Sequence, residues 1–125
     1  MNQFSARAIA SSAGLQATVQ DATFTLPDVA GVADGQDVVV GIRPEHISLN
    51  PIEGTAAIPI SLDLVEPLGS EALLHASIGE HPMIIKAETH GDIEHLSGVS
   101  EIYAPPQLVS VFDAKTGAAL TGQHG

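Results

Sequence analysis

The chain has 125 residues, of which 44% are hydrophobic and 15% are charged, and this predicts a single globular domain over 1–125 with a buried core. Fifteen acidic and four basic residues give a formal net charge of −11, so nucleic acid and anionic lipid are excluded as expected partners. There is no cysteine, which excludes disulfides and thiolate metal sites.

Short stretches that alternate apolar and polar residues predict a mainly β fold. A side-chain period of two places one face of each strand in the core and the other in solvent. We predict strands, in chain order, over 6–10, 15–19, 22–26, 38–42, 58–64, 72–78, 83–87, 99–103 and 108–112. Many short strands at this spacing favour a barrel or a sandwich.

Two of these strands alternate most clearly. The residues expected to face the core are Ile58, Ile60, Leu62, Leu64, Ala72, Leu74, Ala76 and Ile78. Pro59 has no N–H group, so its strand is expected at the edge of a sheet.

Helical periodicity is weak, so only single helical turns are predicted. Pro44 suits the first position of a turn over 45–47, because its missing N–H has no partner there in any case. A second turn is expected within 89–96.

Glycines mark the connections between strands. Gly14 separates the first two strands and suits a hairpin that needs a positive φ, and Gly79 is expected to close another hairpin between 72–78 and 83–87. Asp34-Gly35 is a strong turn dipeptide. Segment 50–55 is the expected connection between two halves whose strands pair with each other.

Signatures of nucleotide binding and of nucleophilic catalysis are absent from the sequence. It contains no GxxxxGK(S/T) phosphate loop, no GxGxxG after a strand and no GxSxG elbow. Glu66 and Glu71 would act as an acid and a base only if the fold brought them within about 5–10 Å of each other. We therefore predict no catalytic residue and no bound cofactor in this chain.

The six histidines of the chain raise the question of a metal site. The densest group of candidate ligands is ETHGDIEH, with Glu88, His90, Asp92, Glu94 and His95. These residue types suit zinc, but two histidines five residues apart do not match a helical pair of ligands. We therefore expect a polar loop here and no metal site, and we expect His75 on the outer face of its strand.

A first motif, VVVGIRPEHISL, covers 38–49. A buried strand runs into Arg43-Pro44-Glu45, followed by His46. Pro44 fixes its own φ and biases Arg43 towards an extended conformation, so the turn is rigid. Because Arg43 is one of only four Lys and Arg residues, we expect it to pair with a carboxylate that orients the turn.

A second motif, LDLVEPLGSEALLHASIG, covers 62–79. One strand ends at Glu66, the segment 67–70 turns, and the next strand begins at Glu71. Gly69 in this turn is expected to have a positive φ that bulkier residues rarely adopt.

These motifs and the two ends of the chain resemble the C-terminal domain of ATP-binding subunits of carbohydrate-type ABC importers, the maltose and glycerol-3-phosphate group. That domain is called the TOBE or OB-fold regulatory domain. Four stretches carry the resemblance in order along nearly the whole chain: Met1, Asn2 and Phe4; Gly41, Arg43, Pro44, Glu45 and His46; Val65, Glu66, Leu68, Gly69 and Glu71; Val111, Phe112, Asp113, Thr116 and Gly117. One departure is the APPQ segment at 104–107, where the family has a proline, an acid and an arginine, so contacts of those charges are not expected here.

The resemblance implies an OB-type (TOBE, MOP-like) β-barrel with short helical turns only. It also implies a C-terminal fragment of a larger ABC ATPase subunit, whose nucleotide-binding domain, with ATP and Mg, would lie upstream of 1–125. The implied function is an accessory, regulatory and dimerisation domain for sugar or sugar-phosphate import, without ATPase activity of its own.

The implied partners are a second copy of the subunit, the ATPase domain and the membrane permease subunits, at the cytoplasmic face of the membrane. The candidate turn and interface residues are Arg43, Pro44, Glu45, His46, Glu66, Gly69 and Glu71.

Two other functions stay open at this point. One is a small-ligand sensor for an oxyanion or a sugar phosphate, for which only Lys86 lies near a plausible mouth. The other is a stand-alone hydrolase. The sequence leaves open the transported solute, any regulatory ligand or protein, and whether Met1 is a native start.

Overall fold

Strands make up most of the regular structure in the computed structural model, which describes residues 1–11, 14–20, 22–27, 32–89 and 93–120. The ten strands are β1 (Asn2–Ser11), β2 (Gly14–Val19), β3 (Ala22–Thr25), β4 (Asp37–Ile42), β5 (Ile58–Pro59), β6 (Ser61–Pro67), β7 (Glu71–Ile78), β8 (His81–Glu88), β9 (Glu101–Ile102) and β10 (Ser110–Asp113). The helical segments of this part of the chain are three single 3₁₀ turns, η1 (Pro44–His46), η2 (Glu94–Leu96) and η3 (Pro106–Leu108). The predicted mainly β fold with short helical turns only is confirmed.

The strands form three antiparallel sheets. Five strands pair in the order β10-β4-β1-β2-β3, two pair as β5-β9, and three pair in the order β6-β7-β8. The pairing of β10 with β4 confirms that strands from the two halves of the chain pair. Among the described residues, backbone pairing does not close these sheets into one continuous barrel, and the arrangement is compatible with an OB-type fold.

The core lies along the inward faces of the sheets. Strand β7 buries Ala72, Leu74, Ala76 and Ile78 at every second position, as predicted. Phe4 of β1 and Phe24 of β3 are also buried, with ring centroids 5.8 Å apart. Burying a large apolar side chain of this kind contributes about 1.5–3 kcal/mol relative to leaving it exposed, so such pairs hold the first sheet over the core.

The predicted strand over 58–64 is wrong in two respects. Its first part pairs separately as β5, and Ile60 then donates its N–H to the Ser100 carbonyl. Within β6 the register shifts between Leu62 and Leu64, and such a β-bulge adds one residue that resets the alternation of side chains. Leu64 is therefore 58% exposed instead of facing the core, and Val65 takes the more buried position.

Several local predictions are confirmed. Gly14 is the first residue of β2, which pairs with β1, and it has the expected positive φ, 115°. Gly79 connects β7 and β8, which form the expected hairpin, and its φ is 57°. Turn η1 begins at Pro44, and η2 lies inside the segment expected to hold a second turn. Pro59 lies on β5, which pairs on one side only, with β9.

The last two predicted strands are shorter than expected. Of 99–103, only Glu101–Ile102 forms β9, and the start of 108–112 belongs to η3, which begins at Pro106. Proline suits the first position of a helical turn, so this segment turns before β10 begins. Across the described residues, no helix has the length and apolar content needed to cross a membrane.

Candidate interaction surface

The turn that follows β4 is fixed by its own backbone. Arg43 is extended, with φ −74° and ψ 146°, and Pro44 begins η1 directly after it. The His46 N–H donates to the Arg43 carbonyl at 3.0 Å, and Ile47 then enters the core. The rigid turn predicted at Arg43-Pro44-Glu45 is therefore present.

Within the described part of the chain, Arg43 does not form the ion pair that was expected for it. Among the described residues, the ion pairs within 4 Å are Arg7–Asp37 at 3.6 Å, His75–Glu66 at 2.9 Å and Lys86–Glu71 at 3.6 Å. The extended backbone leaves Arg43 exposed at the surface, so proline geometry and the backbone bond of η1 orient the turn instead of a salt bridge.

The exposed carboxylate of Glu45 lies in a positive environment. A hydrogen bond from its own backbone N–H lowers the pKa of Glu45; desolvation opposes this in part, and electrostatic interactions with the nearby His46, Arg43 and Lys86 lower the pKa further. Lys86 is on β8, against which η1 packs. The turn therefore lies beside one end of the β6-β7-β8 sheet.

The turn between β6 and β7 is closed by backbone bonds and by one threonine. The Leu68 N–H donates to the Glu71 carbonyl at 2.7 Å, and Gly69 has φ 86°, which confirms the predicted conformation. The buried Thr89 donates its hydroxyl to the Gly69 carbonyl at 3.2 Å. The second motif thus encodes the geometry of this turn.

Glu66 and Glu71 of the second motif lie on the outer face of this sheet, away from the core. We use "outer face" for Leu64, Glu66, Glu71, Leu73, His75, Ile84 and Lys86. The ring nitrogen Nε2 of His75 lies 2.9 Å from Oε1 of Glu66, which places His75 on the outer face as predicted. Lys86 Nζ lies 3.6 Å from Oε1 of Glu71. Each carboxylate thus has its own positively charged or titratable partner.

Lys86 lies near both motifs. It pairs with Glu71 of the second motif at 3.6 Å, and it lies on β8, against which η1 of the first motif packs. From the sequence, Lys86 was expected to matter only for the ligand-sensing alternative. Because the chain has only four Lys and Arg residues, pairing of Lys86 with a nearby carboxylate such as that of Glu71 could have been expected from the sequence.

The metal hypothesis finds no support in the part of the chain that is described. There, no group of three or more His, Cys, Asp or Glu side chains is placed to hold a metal ion. His90 and Asp92 of the ETHGDIEH segment lie outside the described residues.

An open cleft of about 390 Å³ lies between the segment after η1, β8 and η2. Its polar lining includes Ser48, Asn50, Lys86, Glu88 and His95. The volume is large enough for a small ligand. The ammonium group of Lys86 is already shared with Glu71, so the cleft does not favour an oxyanion.

The last motif closes the turn after β10. The Asp113 carboxylate accepts hydrogen bonds from the Thr116 hydroxyl at 2.8 Å and the Thr116 N–H at 3.2 Å. The hydrogen bond from the Thr116 hydroxyl is the main reason why the pKa of Asp113 lies below its ordinary value. The Thr116 N–H and the Gln36 side chain lower this pKa by smaller amounts. Thr116 and Gly117 of this motif therefore have a structural role in the turn, where the Gly117 N–H also donates to the Asp113 carbonyl.

Two family models match the chain. A model described as the MalK OB fold domain matches residues 1–47, and a model described as the TOBE domain matches residues 40–96. The two matches overlap over 40–47, the segment that contains the Arg43-Pro44-Glu45 turn.

Curated relatives agree with these models. One is the sn-glycerol-3-phosphate import ATP-binding protein UgpC of Bordetella avium, 38% identical over 61 residues, which are 49% of this chain and 16% of that protein. The protein of the same name in Escherichia coli is 29% identical over 99 residues, which are 78% of this chain and 27% of that protein. A third, the sulfoquinovosyl glycerol transport ATP-binding protein SmoE of Agrobacterium fabrum, is 50% identical over 48 residues, 38% of this chain and 13% of that protein.

The chain therefore corresponds to a small part of the length of these relatives. The two models together span residues 1–96, on a fold built of antiparallel strands and 3₁₀ turns. The chain belongs to the family of MalK-type OB-fold and TOBE domains, the domain type shared with these importer ATP-binding proteins.

Proposed function

We propose that this chain is the accessory, regulatory and dimerisation domain, C-terminal in its subunit, of an ABC importer ATP-binding protein for a sugar or a sugar phosphate. The observation that carries the proposal is the match of the two family models over residues 1–96. The sequence contains no phosphate loop, so the domain hydrolyses no ATP itself. ATP and Mg belong to the nucleotide-binding domain of the same subunit.

The partners follow from that role. They are a second copy of the subunit, its ATPase domain and the permease subunits, so the domain works at the cytoplasmic face of the membrane. The names of two relatives, for glycerol-3-phosphate and for sulfoquinovosyl glycerol, support a polar glycerol or sugar compound as the solute.

Self-association through the surface around the Arg43-Pro44-Glu45 turn is part of this proposal. Arg43 and Glu45 are both exposed, and neither takes part in an ion pair within 4 Å among the described residues. Each can therefore pair with a charge on another molecule without first breaking an existing contact.

Calorimetry separates this proposal from the two alternatives. Titration with Mg-ATP, molybdate, sulfate and glycerol 3-phosphate should give no saturable heat, and generic ester substrates should not be hydrolysed. Saturable binding of an anion at micromolar concentration would favour the ligand sensor. Binding or hydrolysis of Mg-ATP would overturn the proposal of an accessory domain.

A further inference from the structure

Strand β8 is the last strand of its sheet and pairs with β7 on one side. In an antiparallel pair, residues that bond to the neighbouring strand alternate with residues whose N–H and C=O groups point away from it. Ile84 is of the second kind, because its N–H and C=O groups bond to the Asn2 side chain. The register of β7 with β8 is continuous, so Pro82 and Lys86, two residues away on either side, direct their backbone groups to the same edge.

This edge is closed at two of the three positions and open at the third. Pro82 has no N–H group, and a proline is tolerated in a sheet where its nitrogen faces away from the neighbouring strand. Ile84 is occupied by the Asn2 amide. Among the described residues, the N–H and C=O groups of Lys86 have no hydrogen-bond partner. Lys86 therefore offers one donor and one acceptor at an edge to which another chain can add.

The open position lies in the cleft of about 390 Å³ between β8, η2 and the segment after η1. The apolar part of its lining includes Ile47, Leu49 and Leu96. When a peptide adds to a strand edge, main-chain hydrogen bonds give affinity, and pockets for alternate side chains give specificity. The cleft supplies both features, since an apolar lining lies beside the open backbone of Lys86.

The Asn2 side chain shows which chemistry fits this edge. Its amide presents one N–H donor and one C=O acceptor to Ile84, as the backbone of an added strand does. The next outward-facing residue along β8 is Lys86, which presents the same pair of groups. A peptide backbone can therefore bond to Lys86 in the way that the Asn2 amide bonds to Ile84.

Charge adds a second requirement on the ligand. The Lys86 ammonium group lies 3.6 Å from the Glu71 carboxylate, so its charge is balanced within the domain. Glu88 also lines the cleft, and the chain as a whole carries a formal charge of −11. A field of this sign attracts a basic peptide and repels an acidic one.

We propose that the edge of β8 at Lys86 accepts an extended, basic peptide segment of another protein, which adds as a strand in the cleft. The peptide backbone bonds to the N–H and C=O groups of Lys86, and a neighbouring apolar side chain packs against Ile47 and Leu96. This inference goes beyond the proposed function, because it needs neither the ATPase domain nor a second copy. Two main-chain hydrogen bonds and one apolar contact give weak binding, with dissociation constants of about hundreds of micromolar.

NMR titration of the ¹⁵N-labelled chain with the synthetic peptide acetyl-KVKVK-amide tests the proposal. Saturable shifts are expected at 47–50, 86–88 and 95–96, which line the cleft. The Lys86 amide proton should move downfield and exchange more slowly with solvent, because it gains an acceptor. The acidic peptide acetyl-EVEVE-amide has the same length and alternation and should bind about tenfold more weakly.

Two N-methylated forms of the basic peptide test the main-chain bonds without changing the protein. One is methylated at the valine nitrogens and the other at the lysine nitrogens. Only alternate N–H groups of an added strand face β8, so one of the two forms should lose binding. Equal binding of both forms and of the parent peptide would overturn the proposal.

A matched pair of variants tests the position on the edge. Lys86→Pro removes the outward N–H and should weaken binding of the basic peptide by about tenfold. Lys86→Ala removes the side chain and its pair with Glu71 but keeps the N–H, so it should bind nearly as the wild type does. If Lys86→Pro does not fold, the exchange rate of the Lys86 amide in the wild type, with the parent and the methylated peptides, decides the same point.

The outcomes separate this inference from the proposed function. Shifts outside the cleft, or no saturable shift at millimolar concentrations of the basic peptide, would overturn strand addition at Lys86. The proposed accessory role would stand in either case, because it rests on the family models.

Discussion

The side-chain amide of Asn2 makes two hydrogen bonds with the backbone of Ile84. Its Nδ2 donates to the Ile84 carbonyl at 2.7 Å, and its Oδ1 accepts from the Ile84 N–H at 2.9 Å. The amide thus acts as one residue of an additional strand at the edge of β8 and joins the five-stranded sheet to the β6-β7-β8 sheet. At Ile84 the edge is therefore blocked against pairing with other chains.

Asn2→Asp is expected to destabilise the fold by about 1–3 kcal/mol. A carboxylate cannot donate to the Ile84 carbonyl, so that partly buried acceptor loses its partner. Urea unfolding measures the loss, and faster amide hydrogen exchange at Ile84 locates it. Asn50→Asp makes the same chemical change at an exposed loop position and should alter stability by less than half as much; an equal loss in both variants would contradict the role of the Asn2 amide.

Gly69→Ala is expected to cost about 1–2 kcal/mol, the penalty for a side chain in the left-handed region. Nothing lies within 4 Å of the position that its Cβ would occupy, so the cost comes from φ alone. Gly98 also has open space around it but no positive φ, which makes Gly98→Ala the matched control in thermal unfolding. Equal melting temperatures for the two variants would show that the conformation of Gly69 does not matter.

Thr116→Val is expected to raise the pKa of Asp113 towards its ordinary value, because the strongest hydrogen bond to this carboxylate is lost. A pKa lowered in the folded state stabilises the fold above the ordinary pKa of the carboxyl group, and this stabilisation is lost as the pH falls through the folded value. NMR titration of the Asp113 carboxyl carbon measures the shift directly. Thr55→Val removes a hydroxyl bonded to Ile52 instead and should leave the titration of Asp113 unchanged; no shift in Thr116→Val would refute this account.

Arg43→Glu is expected to weaken self-association by about tenfold, since it reverses one of the few positive charges at the proposed contact. Arg7→Glu makes the same change of charge on β1, where Arg7 pairs with Asp37 at 3.6 Å, and is the control. Sedimentation equilibrium compares the two variants. If Arg43→Glu dimerises as well as Arg7→Glu, the Arg43 turn lies outside the contact.

The parts of the fold that depend on local chemistry were predictable from the sequence. Alternation correctly assigned the buried face of β7, and glycine with proline marked the turns at Pro44, Gly69 and Gly79. In each case one residue or one short pattern determines the backbone, because a proline φ or a left-handed glycine leaves few alternatives.

The parts that depend on long-range pairing were not predictable. The bulge in β6 follows from the register with β7, so alternation alone placed Leu64 on the wrong face. The contact between Asn2 and Ile84 joins residues 82 positions apart, and the ion pair of Glu71 with Lys86 joins two different strands. Spacing along the chain carries no direct signal for such contacts.

Sedimentation equilibrium of the wild-type chain over a wide concentration range, at low and at high salt, tests most directly the claim that this domain pairs two subunits. We expect a monomer–dimer equilibrium that shifts towards dimer at high salt. Each copy carries a formal charge of −11, and salt screens that long-range repulsion more than it weakens a few close ion pairs. A strictly monomeric chain at hundreds of micromolar in both salts would contradict the claim.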